Sequence, residues 1–591
     1  MSNDFQKVLI KDDRLVVSDQ IKYAVCKGGQ NMTSAQFNAI SQSTSSHTYN
    51  IQVPSEQTIV DRRVLWQSTV TLAITTAQAA GGAVPVGNDP RPAGALLVNY
   101  GSQDALAPFP LHQLCSVMTA TVNNNSTSIN MRDVLASILR FHDKRELSRY
   151  NGYTPVMYDT YQNYKDGLGS NNNVLGGWSL TADNDINQRG SWVLDSISSV
   201  PPSDGTFPQP LVPASNTAYV TYTVTEPLLI SPFIYAHPKS NNQGFYGIQN
   251  MNFIFNIADG NRAWRTANNW GQSVSVNRFN NSRLIFNFLT PHPSDLMPSR
   301  NVCGYYELPR YITSNLPAFG AYGSATAQQT IRTTTIQLNQ IPDKLIMFVR
   351  KSMGDQKAWD SDSFLVINGL SINFNNMSGI LASATQQDIY RYSVENGSNQ
   401  SWYEFSGSAT KASSITGGGS VMPTSGSLLV LEFGKDIQLV EDFYASGSLG
   451  NFNLQVNLTV SNQSNVALAN TEVVIITMNS GVWVNERGTT TVYTGILTKQ
   501  DVLDVSSQES YSRSDVERMV GGGFLDTLKS VAGKVVPMLP SLAKAGLSMS
   551  GNPYAKTGAN VLGALGYGRS GGGGSGGGVS GGRHKLDGRL E

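Results

Sequence analysis

Asn451–Val460 reads NFNLQVNLTV, and its side chains sort into two sets. Phe452, Leu454, Val456, Leu458 and Val460 fall on one side, while Asn453, Gln455, Asn457 and Thr459 fall on the other. Successive side chains of an extended strand point to opposite faces, so this period of two predicts a strand with one face in a core. The other face meets water or a neighbour.

The same alternation recurs upstream. Val64, Trp66, Val70, Leu72 and Ile74 form an apolar face that polar Ser68 interrupts. Segment 218–224 alternates as well, as do Met251, Phe253, Phe255 and Ile257, and then Leu284, Phe286 and Phe288. The runs KLIMFVR (344–350), SFLVINGLSINF (363–374), SLLVLEF (427–433) and EVVIITM (472–478) are nearly continuous. They predict strands buried on both faces or set in sandwich cores. Many strands without alternating helices point to an all-β class built from sandwiches.

Proline density marks a divide. The stretch TPHPSDLMPSRNVCGYYELPRY (290–311) carries Pro291, Pro293, Pro298 and Pro309. Proline lacks the N–H that a sheet interior needs, so a linker is expected at 291–311. Two β-sandwiches are then expected at 45–290 and 312–497, after an N-terminal arm at 1–44. One helix is predicted over 129–143, with Met131, Leu135, Ile138 and Phe141 or His142 as its stripe, covering a sandwich end. Long loops are expected at 166–178 and 198–216.

After the last strand the pattern changes. TKQDVLDV (498–505) and SDVERMV (514–520) each carry the Ser/Thr-x-x-acid spacing of a capping box, so short capped helices are expected within 498–520. Beyond Gly523 the apolar period becomes helical. Phe524, Leu528, Val531, Val535 and Met538 form a stripe, with Lys529 and Lys534 off it, until Pro537 and Pro540 end the helix. GRSGGGGSGGGVSGG closes the 521–591 tail as flexible coil.

Composition narrows function. Of 591 residues, 40% are apolar and only 14% charged, against roughly 25% charged in average globular proteins. Net charge is zero overall, yet it is unevenly placed. Residues from Met519 onward hold eight Lys/Arg and three Asp/Glu, leaving a mildly acidic body with a basic tail. Lys529, Lys534, Lys544, Lys556 and Arg569 lead that tail, which suits an anionic genome or membrane. Cys26, Cys115 and Cys303 are odd in number and widely spaced, as buried thiols of a reducing compartment would be. The start, MSNDFQKVLIKDDRLVV, has no signal-peptide apolar core, and no run reaches about 18 apolar residues. Synthesis in the cytoplasm, without secretion or a membrane span, is the expectation.

Catalytic motifs are missing. Histidines 47, 112, 142, 237, 292 and 584 include no pair at metal-ligand spacing. GYGRSG (566–571) and the Gly-x-Ser-x-Gly matches lie in low-complexity sequence without the strand–turn–helix context they require. DNDINQ (183–188) starts like a calcium loop but places Gln188 at the turn and Leu194 at the bidentate acid. No phosphate-loop motif occurs. Neither enzyme activity, metal nor cofactor is expected.

Three stretches carry a family resemblance: YNIQVPSEQTIVDRRVLWQSTVTL (49–72), YQNYKDGLGSNNNVLGGW (161–178) and GKDIQLVEDFYASGSLGNFNLQVNLTV (434–460). Across about residues 20–500 the chain resembles the double jelly-roll major capsid proteins of virophages and Polinton-like viruses, distant relatives of the adenovirus hexon. The resemblance implies two adjacent jelly-roll sandwiches, followed by the helical and Gly-rich tail. It also implies a homotrimeric pseudo-hexagonal capsomer, an icosahedral shell, and neighbouring capsomers with penton or minor capsid proteins as partners. Relatives use a viral cysteine protease that cuts after small-residue motifs; the adenovirus type favours an apolar residue, any residue, glycine, any residue, then glycine. Met519, Gly521 and Gly523 fit that pattern, with the cut after Gly522; a plain glycine hinge fits as well. For the tail, packing on the chain's own protein, membrane disruption and genome contact all stand open. Alternatives for the whole chain are a capsid subunit of another lineage and a glycan-binding adhesion sandwich.

Overall fold

The computed structural model describes residues 32–494 apart from 78–90, 92, 165–192, 203–208, 234–243, 259, 269, 291–299, 413–418 and 440–445, with short paired strands at Leu9–Ile10 and Ala24–Val25. Eight strands make the first sandwich: β1 (Met32–Asn38), β2 (Ser46–Gln52), β3 (Leu65–Thr75), β4 (Cys115–Val122), β5 (Asn125–Ile129), β6 (Thr217–Pro227), β7 (Asn250–Ile257) and β8 (Ser273–Leu289). One sheet runs β1-β8-β3-β6 and the other β2-β7-β4-β5. All of these pairs are antiparallel.

The second half repeats that order. Its strands are β9 (Arg300–Glu307), β10 (Arg310–Thr313), β11 (Gln328–Arg332), β12 (Ile336–Gln340), β13 (Lys344–Lys351), β14 (Val366–Phe374), β15 (Met377–Ile380), β16 (Leu429–Glu432), β17 (Leu449–Ser461), β18 (Thr471–Glu486) and β19 (Thr489–Thr494). One sheet runs β10-β18-β13-β16. The other places β11 and β12 beside β17, then β14 and β15. Counted by sandwich, strands 1-8-3-6 face strands 2-7-4-5 in both halves, which is the jelly-roll order with its two Greek keys. The far end of β18 continues between β9 and β19.

Two boundaries differ from the sequence reading. The expected arm at 1–44 supplies edge strand β1, paired with β8 from Arg283↔Asn38 to Leu289↔Met32. The expected linker at 291–311 supplies β9 and β10. Pro309 lies between β9 and β10, so it removes no ladder N–H.

The stretch Asn451–Val460 falls within β17, where Phe452, Leu454, Val456, Leu458 and Val460 are all buried. Ser68, the apparent flaw in β3, is buried opposite a bulge in β8 between Asn280 and Arg283. Its hydroxyl donates to the Asn280 carbonyl at 3.5 Å.

Helix α1 (Met131–Phe141) follows β5, and helix α2 (Gln386–Glu395) follows β15. The second was not anticipated, although Thr385 and Asp388 form a capping box. The Asp388 N–H donates to Thr385 Oγ1 and the Thr385 N–H to Asp388 Oδ2.

Candidate functional site

The sheet β10-β18-β13-β16 separates two cores. Leu345, Met347 and Val349 of β13 point into the second core, with Leu429, Leu431, Val473 and Ile475. Their neighbours Ile346, Phe348, Val430, Val474, Ile476 and Met478 belong to the core of the first sandwich. This double burial is why those segments read as unbroken apolar runs. The jelly rolls are therefore joined through a shared apolar wall.

Helix α1 seals one end of that wall. The sequence suggested a one-sided stripe covering a sandwich end; the helix is instead enclosed nearly all round, with Asp133, Ser137 and Arg140 buried beside Met131, Leu135 and Ile138. Its two buried charges are answered from the second sandwich. Asp133 pairs with Arg350 of β13 and lies 2.9 Å from Arg310 Nε of β10. The Arg350 Nε donates to Glu472 Oε1 of β18 at 2.8 Å. Arg140 Nη1 donates to Asp362 Oδ2 at 2.6 Å and to the Ala136 carbonyl at 2.9 Å, and Nη2 donates to the Asp159 carbonyl at 3.1 Å. The guanidinium also lies between the rings of Tyr158 and Phe364, 4.9 and 4.7 Å from their centroids. A planar cation that is both forked and stacked is a role Lys cannot fill.

Further ties run alongside. Arg262 donates to Gln113 Oε1 at 3.0 Å and to Gln356 Oε1 at 2.9 Å, linking the two halves. Main-chain bonds join Ser425 N–H to the Thr160 carbonyl and Tyr164 N–H to the Trp359 carbonyl. At the far end, Asn123 Nδ2 donates to Thr490 Oγ1 at 3.0 Å. Isolated charges within apolar patterns, Asp133, Arg140 and Arg350, were the available sequence signal. Arg140 and Asp362 lie 222 positions apart, and Asp133 and Arg350 lie 217 apart, beyond any local pattern.

The histidines found in the interior are structural. His112 Nε2 accepts the Leu229 N–H at 3.2 Å, so its Nδ1 carries the proton given to Glu226 Oε2 at 2.5 Å. His47 sits with Tyr49, Trp66 and Ser282, and burial holds its pKa down at about 4. Cys115 is a buried thiol. Among the described residues no group of three His, Cys, Asp or Glu is placed to hold a metal, and no helix is long and apolar enough to cross a membrane. The tail residues singled out by their sequence pattern lie outside the described residues: Met519, Gly521, Gly522 and Gly523, the stripe Phe524, Leu528, Val531, Val535 and Met538, and Lys529, Lys534, Lys544, Lys556 and Arg569. So do DNDINQ (183–188), the 166–178 loop and both capped helices.

Two abutting jelly rolls with identical strand order, sharing a wall in one polypeptide, are what a double jelly-roll subunit requires. The family profile for the Sputnik virophage major capsid protein 1st domain matches residues 3–289. That for the major capsid protein V20 C-terminal domain matches residues 308–481. This chain is a double jelly-roll major capsid protein. It is 28% identical to the putative capsid protein V20 of Sputnik virophage over 95% of this chain and 93% of that one. The Sputnik virophage structure determined by cryo-EM at 3.5 Å superimposes with a TM-score of 0.69 at 25% identity, covering 88% of this chain and 99% of that one. The crystal structure of the mavirus major capsid protein gives 0.63 at 16% identity, covering 84% and 96%. This capsid protein is thus a structural component of the virion, and the ion pairs of its seam serve architecture, not turnover.

Proposed function

We propose that three copies of this capsid protein close into a pseudo-hexagonal capsomer and that such capsomers tile an icosahedral shell. The observation that carries this is the duplication of one strand order within a rigidly joined pair: three chains present six nearly alike uprights, enough for a six-sided tile. Obligate interfaces of this kind bury about 2,000 Å² or more. Light scattering of the purified protein tests the step directly. A species of three times the 63.8 kDa chain mass is expected, with hexagonal outlines in negative stain. A monomer at high concentration with no shells would overturn it.

The neighbours in the shell are other capsomers and penton or minor capsid proteins. The tail is removed during maturation by a viral cysteine protease that cuts after Gly522, in the run from Met519 to Gly523. Until then its apolar stripe packs against the shell interior, and its basic side chains face genome or membrane. Mass spectrometry of mature particles reads this separately: full-length chain there removes the cleavage and leaves the shell role standing.

A further inference from the structure

Asn396 caps the C-terminal end of α2 and is only 1% exposed, and its carboxamide lies between a lysine and an aspartate. Lys435 Nζ donates to Asn396 Oδ1 at 3.0 Å. Asn396 Nδ2 donates to Asp436 Oδ2 at 2.5 Å and to the Val430 carbonyl at 3.1 Å. These partners fix which way the amide points, because an ammonium can only donate, and a carbonyl and an ionised carboxylate can only accept. Lys435 and Asp436 are carried on the turn that follows β16, which Gly434 enters at φ 83°. The Asp436 carboxylate is held by a second bond, from the Glu432 N–H at 2.9 Å. Glu395 Oε2, 3.6 Å from Lys435 Nζ, steadies the lysine beside the amide.

We propose that Lys435 and Asn396 join in an isopeptide bond within the folded chain, with Asp436 carrying the proton. Asn396 Cγ is one carbonyl bond, about 1.2 Å, from the oxygen that Nζ already touches, so a small swing of the lysine brings nitrogen and carbon to attacking distance. The lone pair of the neutral amine forms the Nζ–Cγ bond, the Cγ–Nδ2 bond breaks, and Nδ2 leaves as ammonia. The proton that Nζ sheds passes through the Asp436 carboxyl to Nδ2. Nothing is oxidised or reduced, and no cofactor enters. An amide is a poor electrophile; holding it against the amine in a buried site is what makes the exchange feasible. A rival nucleophile is the main-chain nitrogen of Gly397, which could close a five-membered ring on the same carbon. That N–H donates to the Val394 carbonyl at 3.0 Å, which keeps it engaged and leaves the lysine better placed. Asn396 and Lys435 lie 39 positions apart. Their bond closes that long loop and pins α2 to β16, a strand of the shared wall, which restricts the unfolded chain more than the folded one.

Intact-mass measurement of the purified full-length chain, aged in neutral buffer, tests this. The parent should become lighter by one ammonia. Its tryptic digest should contain a branched peptide joining Lys435 to Asn396, with no cleavage after Lys435. K435R keeps the cation, and with its fold checked by circular dichroism and melting it should retain its full mass. D436N should slow the loss at least tenfold. The parent held in urea should form no branch, since only the fold brings the three groups together. Full parent mass with ordinary cleavage after Lys435 overturns the proposal. So does an ammonia loss that persists in K435R, which marks ring closure by Gly397. A branch at Lys344, whose Nζ meets the Asn396 main-chain carbonyl at 2.7 Å, overturns it as well.

Discussion

Arg140 offers the sharpest test of the seam. Its side chain is fully buried, and Asp362, its partner at 2.6 Å, is only 5% exposed. In R140M the apolar stem survives while the guanidinium is lost. The Asp362 carboxylate is then left in a dry site, and the Asp159 and Ala136 carbonyls each lose a donor. Breaking one side of a buried pair costs about 3–5 kcal/mol, mostly the penalty of the stranded charge. The loss of stacking between Tyr158 and Phe364 acts in the same direction. Removing the second charge should return part of that cost, so R140M/D362N should be less destabilised than the sum of the single variants by about 1–3 kcal/mol. Urea unfolding of the unassembled chain measures this at low protein concentration, where association adds no mass-action stability. The parent should unfold in one transition, because its two cores share a wall; R140M should shift the midpoint or split the transition. A cost below about 1 kcal/mol for R140M, or strict additivity in the double variant, would refute the claim that this pair holds the sandwiches together.

Three further outcomes follow from the interior. Asp104 is fully buried, and desolvation raises its pKa to about 7 despite the Asn99 N–H donated at 2.7 Å. The folded state therefore holds a proton on Asp104 that the unfolded chain has released, so the contribution of this group to stability falls as pH rises from about 4 to about 7; the parent should lose melting temperature relative to D104N across that window, and parallel profiles would contradict this. Phe255 is buried against Trp66 and Tyr49, at centroid distances of 4.8 and 5.4 Å, so F255A should cost about 3–5 kcal/mol in urea unfolding. Gly426 has φ 85°, and a Cβ there would run into the Phe364 carbonyl; G426A should lower stability by more than about 1 kcal/mol, read as a loss of melting temperature.

Much of the architecture was readable along the chain because side-chain alternation is a local property. Strands β3, β6, β7, β13, β17 and β18 announce themselves within about ten residues, as does α1. What alternation cannot state is the neighbour. Strand β3 pairs with β6 and β8, both far downstream in the chain, and no pattern in residues 65–75 names them. The duplication of strand order was invisible for the same reason, since topology can recur when residues do not. Proline density made 291–311 read as linker although β9 and β10 begin there, because prolines that flank short strands and prolines of a loop look alike in a sequence. The continuous apolar runs told of burial on both sides, and only the assembled fold shows that the second side is the other jelly roll. Asp133, Arg140 and Arg350 looked like interruptions of apolar patterns until tertiary contact brought their partners from the opposite half. Sequence by itself determined the local periodicity, and hence the strands and their buried faces. Tertiary structure decided which buried face meets which, because that choice depends on long-range packing and charge pairing, and no single segment contains either.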